Sequence, residues 1–109
     1  MDTSTPAFFQ TEIHLGKIID VNPFPEARKP AWKLIIDFGP LGIRKSSAQI
    51  TDLYGKDDLI GKEILAVLNL PPKQIGKFIS ECLVLGIHTP EGVVLLRLDG
   101  SAPLGSKVT

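Results

Sequence analysis

The sequence predicts an all-β domain, an antiparallel barrel or sandwich, and three observations lead there. Six short runs rich in β-branched and aromatic residues are separated by Gly, Pro, Asn and Asp. Helix signals are few and short. The 109 residues contain no internal repeat, low-complexity tract or linker, so they form one domain with a modest core.

The elements follow in order. Thr5-Pro6 resembles an N-cap with proline at the first helical position and leads into a helical extension over Ala7–His14. This segment, 1–14, is expected to pack on the domain or on a dimer interface. Gly16–Val21 is a β-branched run stopped by Asn22-Pro23. Trp32–Phe38 alternates, with Trp32, Leu34, Ile36 and Phe38 on one face and Lys33, Ile35 and Asp37 on the other. Gly39-Pro40 and Gly42 turn the chain into a strand over Ile43–Ala48. Ile50–Tyr54 is predicted as a single helical turn ended by Gly55. Strands are then expected over Glu63–Leu70, Cys82–Ile87 and Val93–Leu98, the last two joined by a turn-rich connection, His88–Gly92. Between them, Asn69–Glu81 reads as a loop stiffened by Pro71 and Pro72, whose fixed φ lowers the entropy lost on ordering.

Three of these strands do not alternate. Ile64–Leu68, Cys82–Leu85 and Val93–Leu96 are apolar on both faces, whereas an antiparallel sheet with one wet face alternates. The outer face must be covered, either by the N-terminal segment with Phe8 and Phe9 or by a second subunit, and a homodimer is predicted.

Composition narrows the functional classes. Hydrophobic residues make up 43% of the chain, which excludes a disordered polypeptide. No apolar run approaches the ~20 residues that span a bilayer, so no membrane insertion is expected. The first fifteen residues carry Asp2 and Glu12 without a basic region, so no secretory signal is read. Cys82 is the only cysteine, which excludes an internal disulfide and fits a reducing, cytoplasmic setting. Twelve basic residues balance twelve acidic ones, which argues against indiscriminate nucleic-acid binding. The distribution is uneven, however. Arg28, Lys29, Lys33, Arg44, Lys45, Lys73 and Lys77 fall in three segments, while Asp52, Asp57, Asp58 and Glu63 gather elsewhere. Should the three basic segments meet, a neutral chain acquires a positive face.

Catalysis finds little support. Ser46, Ser47 and Ser80 lack a nucleophile-elbow context, and His14 and His88 lie in or beside turns. Two separated histidines and one cysteine make a poor zinc set, Asp57-Asp58 reads as a solvated turn setting up Leu59 and Ile60, and Cys82 reads as a buried, inert thiol. Gly39, Gly42, Gly55 and Gly61 follow no phosphate-loop spacing. No catalytic residue, metal or cofactor is expected. Binding is better supported, because Phe24, Trp32 and Phe78 interleave with the basic segments. That mixture suits single-stranded nucleic acid, through phosphate contacts and stacking, and equally an extended peptide, through apolar pockets and backbone bonds. Trp32 and Phe38 also fit a core role, and Phe78 fits either.

The residues Gly16-Lys-Ile-Ile-Asp-Val, Phe24-Pro-Glu-Ala-Arg28, Lys33-Leu-Ile-Ile-Asp-Phe-Gly39, Ser46-Ser-Ala-Gln-Ile50, Leu59-Ile-Gly-Lys62, and Asn69-Leu-Pro-Pro through Ser80-Glu81 resemble the tRNA-binding OB-fold domain family. The likeness covers roughly residues 13 to 100, in order. Within the family, Pro-Glu-Ala-Arg, Lys-Ser-Ser-Ala-Gln-Ile and Asn-Leu-Pro-Pro-Lys-Gln-Ile are most similar to the CsaA-type export chaperones. The resemblance implies a five-stranded OB barrel, a homodimer and no enzymatic activity, with the Ser46–Gln49 and Asn69–Glu81 segments lining the binding surface. One departure is that Pro72-Lys-Gln-Ile75 stands where synthetase appendages carry Lys-Pro-Arg-Lys, which lowers the expected tRNA affinity.

Two ligands are therefore expected. For tRNA the candidate contacts are Arg28, Lys33, Lys45, Ser47, Gln49, Asn69, Lys73, Lys77 and Ser80. For unfolded or export-destined polypeptide they are Phe24, Trp32, Ser47, Asn69, Phe78 and Ser80. The alternative is a structure-specific tRNA-binding protein acting in trans with aminoacyl-tRNA synthetases.

Overall fold

The computed structural model describes residues 10–109. It is a nearly closed, five-stranded antiparallel barrel, as the sequence and the family resemblance predict, with two small hairpins attached. The strands are β1 (Ile13–Pro23), β2 (Trp32–Asp37), β3 (Ile43–Ala48), β4 (Glu63–Val67) and β7 (Leu83–Val84). Their order across the sheet is β3-β2-β1-β4-β7. β1 sits at the centre and pairs with β2 from Lys17 to Pro23 and with β4 from Ile13 to Lys17. A bulge between Ile18 and Asp20 bends β1 so that one strand serves both halves.

Closure comes where β3 meets the residues just before β7. The Glu81 N–H donates to the Lys45 carbonyl at 2.7 Å, and the Lys45 N–H donates to Glu81 Oε1 at 2.9 Å. Ser46 Oγ donates to the Cys82 carbonyl at 2.8 Å. Inside lie Ile18, Val21, Leu34, Ile36, Phe38 and Ile64, all fully buried. The alternating face of β2 thus points inward, as its period predicts. Trp32 packs on the edge of this core and donates its indole N–H to the Tyr54 carbonyl at 2.9 Å.

Between β3 and β4 a single-turn helix, α1 (Lys56–Leu59), inserts Leu59 beneath the barrel, where it is fully buried. Its entry is held by Asp58 Oδ2, which accepts the Gly55 N–H at 2.8 Å. The helical turn predicted over Ile50–Tyr54 is instead an irregular turn, and Gly55 opens the helix rather than ending one. The reason is local: Asp57 and Asp58 fall in the first turn, where carboxylates meet free N–H groups.

Three further differences concern boundaries. The helix predicted through His14 does not reach it, because Gln10 is helical but β1 begins at Ile13; the part on residues 1–9, with Phe8 and Phe9, lies outside the described residues. His14 is drawn into the strand because the C-terminal segment lies alongside. The Leu15 N–H donates to Ser106 O, and the Gly105 and Val108 N–H groups donate to Leu15 O and Ile13 O. The Asn69–Glu81 loop contains a hairpin, β5 (Lys73–Ile75) and β6 (Phe78–Ser80), with Ile75 opposite Phe78. Gly76, at φ +61°, supplies the left-handed residue that a two-residue turn needs at its first central position. Finally, the run read as one strand over Cys82–Ile87 divides. β7 pairs with β4, and β8 (Gly86–Thr89) leaves the barrel to pair with β9 (Gly92–Leu95).

Candidate functional site

β2 and β3 are paired so that Lys33 lies opposite Ser47 and Ile35 opposite Lys45. With Leu34 and Ser46 buried inside, these four residues face outward. Phe24, just beyond β1, and Phe78, on β6, meet there edge to face, with ring centroids 5.3 Å apart and planes inclined at 62°. Lys33 Nζ lies 5.4 Å from the Phe24 centroid and 6.0 Å from that of Phe78, and Lys45 Nζ lies 5.5 Å from Phe78. Two ammonium groups are thus stationed over an aromatic pair, a cation–π arrangement. Among the described residues, the ion pairs within 4.0 Å all involve Glu12, with His14 and with Lys107. Arg28, Lys29, Lys33, Arg44, Lys45, Lys73 and Lys77 have no carboxylate partner within that distance among the described residues.

Beside this face runs a groove of about 530 Å³. Its walls are Ile50, Leu70, Pro71, Ile75, Leu83, Leu85 and Val93, and its polar rim includes Ser47, Gln49, Lys73 and His88. A polar cleft of about 350 Å³ continues from it, sharing Gln49, His88 and Val93 and adding Lys29, Thr51 and Asp52. The Ser46–Gln49 and Asn69–Glu81 segments therefore border one groove.

The residues singled out in the sequence take different places. Lys33, Lys45, Phe24 and Phe78 form the cationic–aromatic face. Ser47, Gln49, Lys73 and Ser80 line the groove. The Ser80 hydroxyl is engaged within the barrel, accepting the Ser47 N–H at 3.0 Å. Asn69 is engaged too: its Oδ1 accepts the Glu12 N–H at 2.9 Å and its Nδ2 donates to Gln10 O at 2.7 Å. Trp32 points to the core, Phe24 is only 5% exposed, and Arg28 and Lys77 lie exposed in turns. Cys82 borders the groove as a buried thiol, and desolvation raises its pKa to about 11.

The family described as "Putative tRNA binding domain" matches residues 13–107. The chain belongs to this tRNA-binding domain family. The domain is similar to a CsaA chaperone protein from Picrophilus torridus, at 54% identity and a TM-score of 0.90, covering 94% of this chain and 95% of that one. It is also similar to chaperone CsaA from Bacillus anthracis, at 45% identity and a TM-score of 0.88, covering 94% of each chain. A methionine–tRNA ligase from Thermococcus onnurineus is 31% identical over 101 residues, 93% of this chain. The chain spans only 14% of that relative's length.

Sequence reading of this tRNA-binding domain missed the apolar wall of the groove and His88 on its rim. The signal is the absence of alternation in Cys82–Leu85 and Val93–Leu96, from which the sequence predicts only a covered outer face. Leu83, Leu85 and Val93 belong to the groove.

Proposed function

We propose that this chain is a non-enzymatic binding protein that holds extended segments of unfolded or export-destined polypeptide in its groove and engages tRNA through the adjacent cationic face. The observation that carries the polypeptide half is the groove itself, whose size lies within the range of ligand sites and whose walls are apolar with a polar rim. Extended peptides gain affinity from apolar pockets at alternate side chains and from backbone hydrogen bonds. The Ser47 hydroxyl and Gln49 amide border the groove, and neither carries a hydrogen bond to the protein among the described residues. The tRNA half rests on family membership and on the unpaired lysines beside the groove.

The working form in this reading is a homodimer. Ile87 and Val94 pair across the β8–β9 hairpin and are 59% and 43% exposed. Such a surface suits a second copy of the chain. Sedimentation at micromolar concentration tests this, and a monomer there rejects it.

A second reading, a structure-specific tRNA binder acting in trans with aminoacyl-tRNA synthetases, draws on the methionine–tRNA ligase relatives. One experiment separates the two. An unfolded apolar peptide and tRNA are each titrated at two salt concentrations. Peptide affinity is expected to be nearly salt-indifferent, while tRNA affinity falls with a log–log slope of about 0.7–0.9 per phosphate contacted. Arg28→Ala with Lys77→Ala, both exposed and outside the groove lining, should weaken tRNA binding and spare the peptide. A protein that binds tRNA but no peptide at any salt leaves only the second reading.

A further inference from the structure

The cationic face is built more closely than a scatter of lysines. Phe24 is 5% exposed, one phenyl ring abuts the other, and the ammonium groups of Lys33 and Lys45 lie over the rings. A stacking platform needs an open ring face for a base. Here lysines occupy the space above the rings. The cation–π attraction favours these side-chain positions before any ligand arrives, which reduces the ordering cost of binding.

The surrounding acids reinforce the arrangement. Asp20, which faces Ile35 across β1–β2, accepts the Val21 N–H at 3.0 Å and the Asn22 side-chain amide at 3.1 Å. Glu81 turns Oε1 to the Lys45 backbone N–H. Neither carboxylate comes within 4.0 Å of the lysine ammonium groups. The Ser47 hydroxyl, opposite Lys33, adds a donor with no partner among the described residues.

We propose that Lys33, Lys45 and the Ser47 hydroxyl form a clamp for the phosphodiester backbone of a nucleic acid, with Phe24 and Phe78 as positioning residues that hold the lysines. This rests on the tRNA-binding reading and sharpens it: the contact is to backbone phosphate, so it is indifferent to base identity.

The test uses tRNA and two short single-stranded oligomers of equal length, one with bases and one abasic. Wild-type protein is expected to bind both oligomers within about twofold at low salt. Base stacking on the phenyl rings would weaken the abasic oligomer by about tenfold or more, which overturns the proposal. Lys33→Gln with Lys45→Gln should lower the salt slope for tRNA by about 1.4–1.8, two phosphate contacts. Phe78→Leu, which keeps apolar volume, should weaken both oligomers several-fold and leave the slope unchanged, with circular dichroism confirming the fold. Full tRNA binding by the double-lysine variant overturns the clamp and leaves the tRNA reading standing. Failure of both oligomers to bind while tRNA binds also overturns the clamp alone. Absence of any tRNA binding by wild type overturns both.

Discussion

The backbone N–H of Ser47 donates to the hydroxyl oxygen of Ser80 at 3.0 Å, so a side chain occupies the position that a strand ladder gives to a carbonyl. Next to it, Ser46 donates from inside the barrel to the Cys82 carbonyl. Serine side chains therefore complete part of the seam between β3 and β6–β7, where backbone pairing alone leaves a gap. Ser47 and Ser80 also border the groove, so closure of the barrel and the shape of the binding surface are one structural event.

Ser80→Ala removes the acceptor and leaves the Ser47 N–H unpartnered. The expected cost is about 1 kcal/mol, which in a domain of this size lowers Tm by roughly 4–8 °C. Thermal unfolding followed by circular dichroism checks it. An unchanged Tm would mean that water replaces the hydroxyl at the seam without loss.

Gly16 lies buried in β1 against the core. A Cβ built there would stand 2.5 Å from Phe38 Cε1 and 2.6 Å from Ile36 Cγ2, both on fully buried side chains. Gly16→Ala should destabilise the barrel by about 1–3 kcal/mol through overpacking. Denaturant unfolding should move to a lower midpoint with an unchanged slope.

The Cys82 thiol is buried, and its pKa is raised from 9.0 to about 11. The native protein should therefore resist thiol reagents at pH 8 and react at once when unfolded. The linkage sign follows from the raised value. This thiol's contribution to stability is fully present below pH 9 and is lost as pH rises towards 11, because the unfolded chain ionises first. Fast native labelling at pH 8 would contradict its burial.

Glu12 ties the two ends of the described chain together. Lys107 Nζ donates to its Oε2 at 2.6 Å, and His14 Nε2 lies 3.1 Å from its Oε1. These contacts, Lys107 first, hold the carboxyl below its ordinary value of 4.5. A depressed acid contributes stability above that value and loses it as pH falls through the folded pKa. Lys107→Met should thus lower Tm slightly at pH 7 and flatten the acid side of the Tm profile below pH 4.5. An acid limb identical to wild type would show that the pair is idle.

Much of the fold was legible because side-chain period reports which face is buried. Trp32–Phe38 alternates, and its even positions enter the core. The hairpin inside Asn69–Glu81 was not legible, since two strands of three residues are too short for a period to register. In the sequence Asn69 reads as a candidate tRNA and peptide contact because it sits in the proline-stiffened loop. Its partners, Glu12 and Gln10, are brought to it by β1 lying beside β4. His14 and Lys107 meet for the same reason, through the C-terminal segment along β1.

By itself the sequence determined an all-β domain, a barrel or a sandwich, with the positions of its principal strands, the three basic segments and the apolar runs that called for a cover. These are properties of neighbouring residues, written in local period, turn chemistry and charge. Only the tertiary structure decided that Lys33 and Lys45 share one aromatic pair, that Ser80 and Asn69 are held within the protein, and that the apolar runs form a groove. Those outcomes depend on hydrogen-bond and ring partners supplied by distant strands, and strand pairing alone sets such distances.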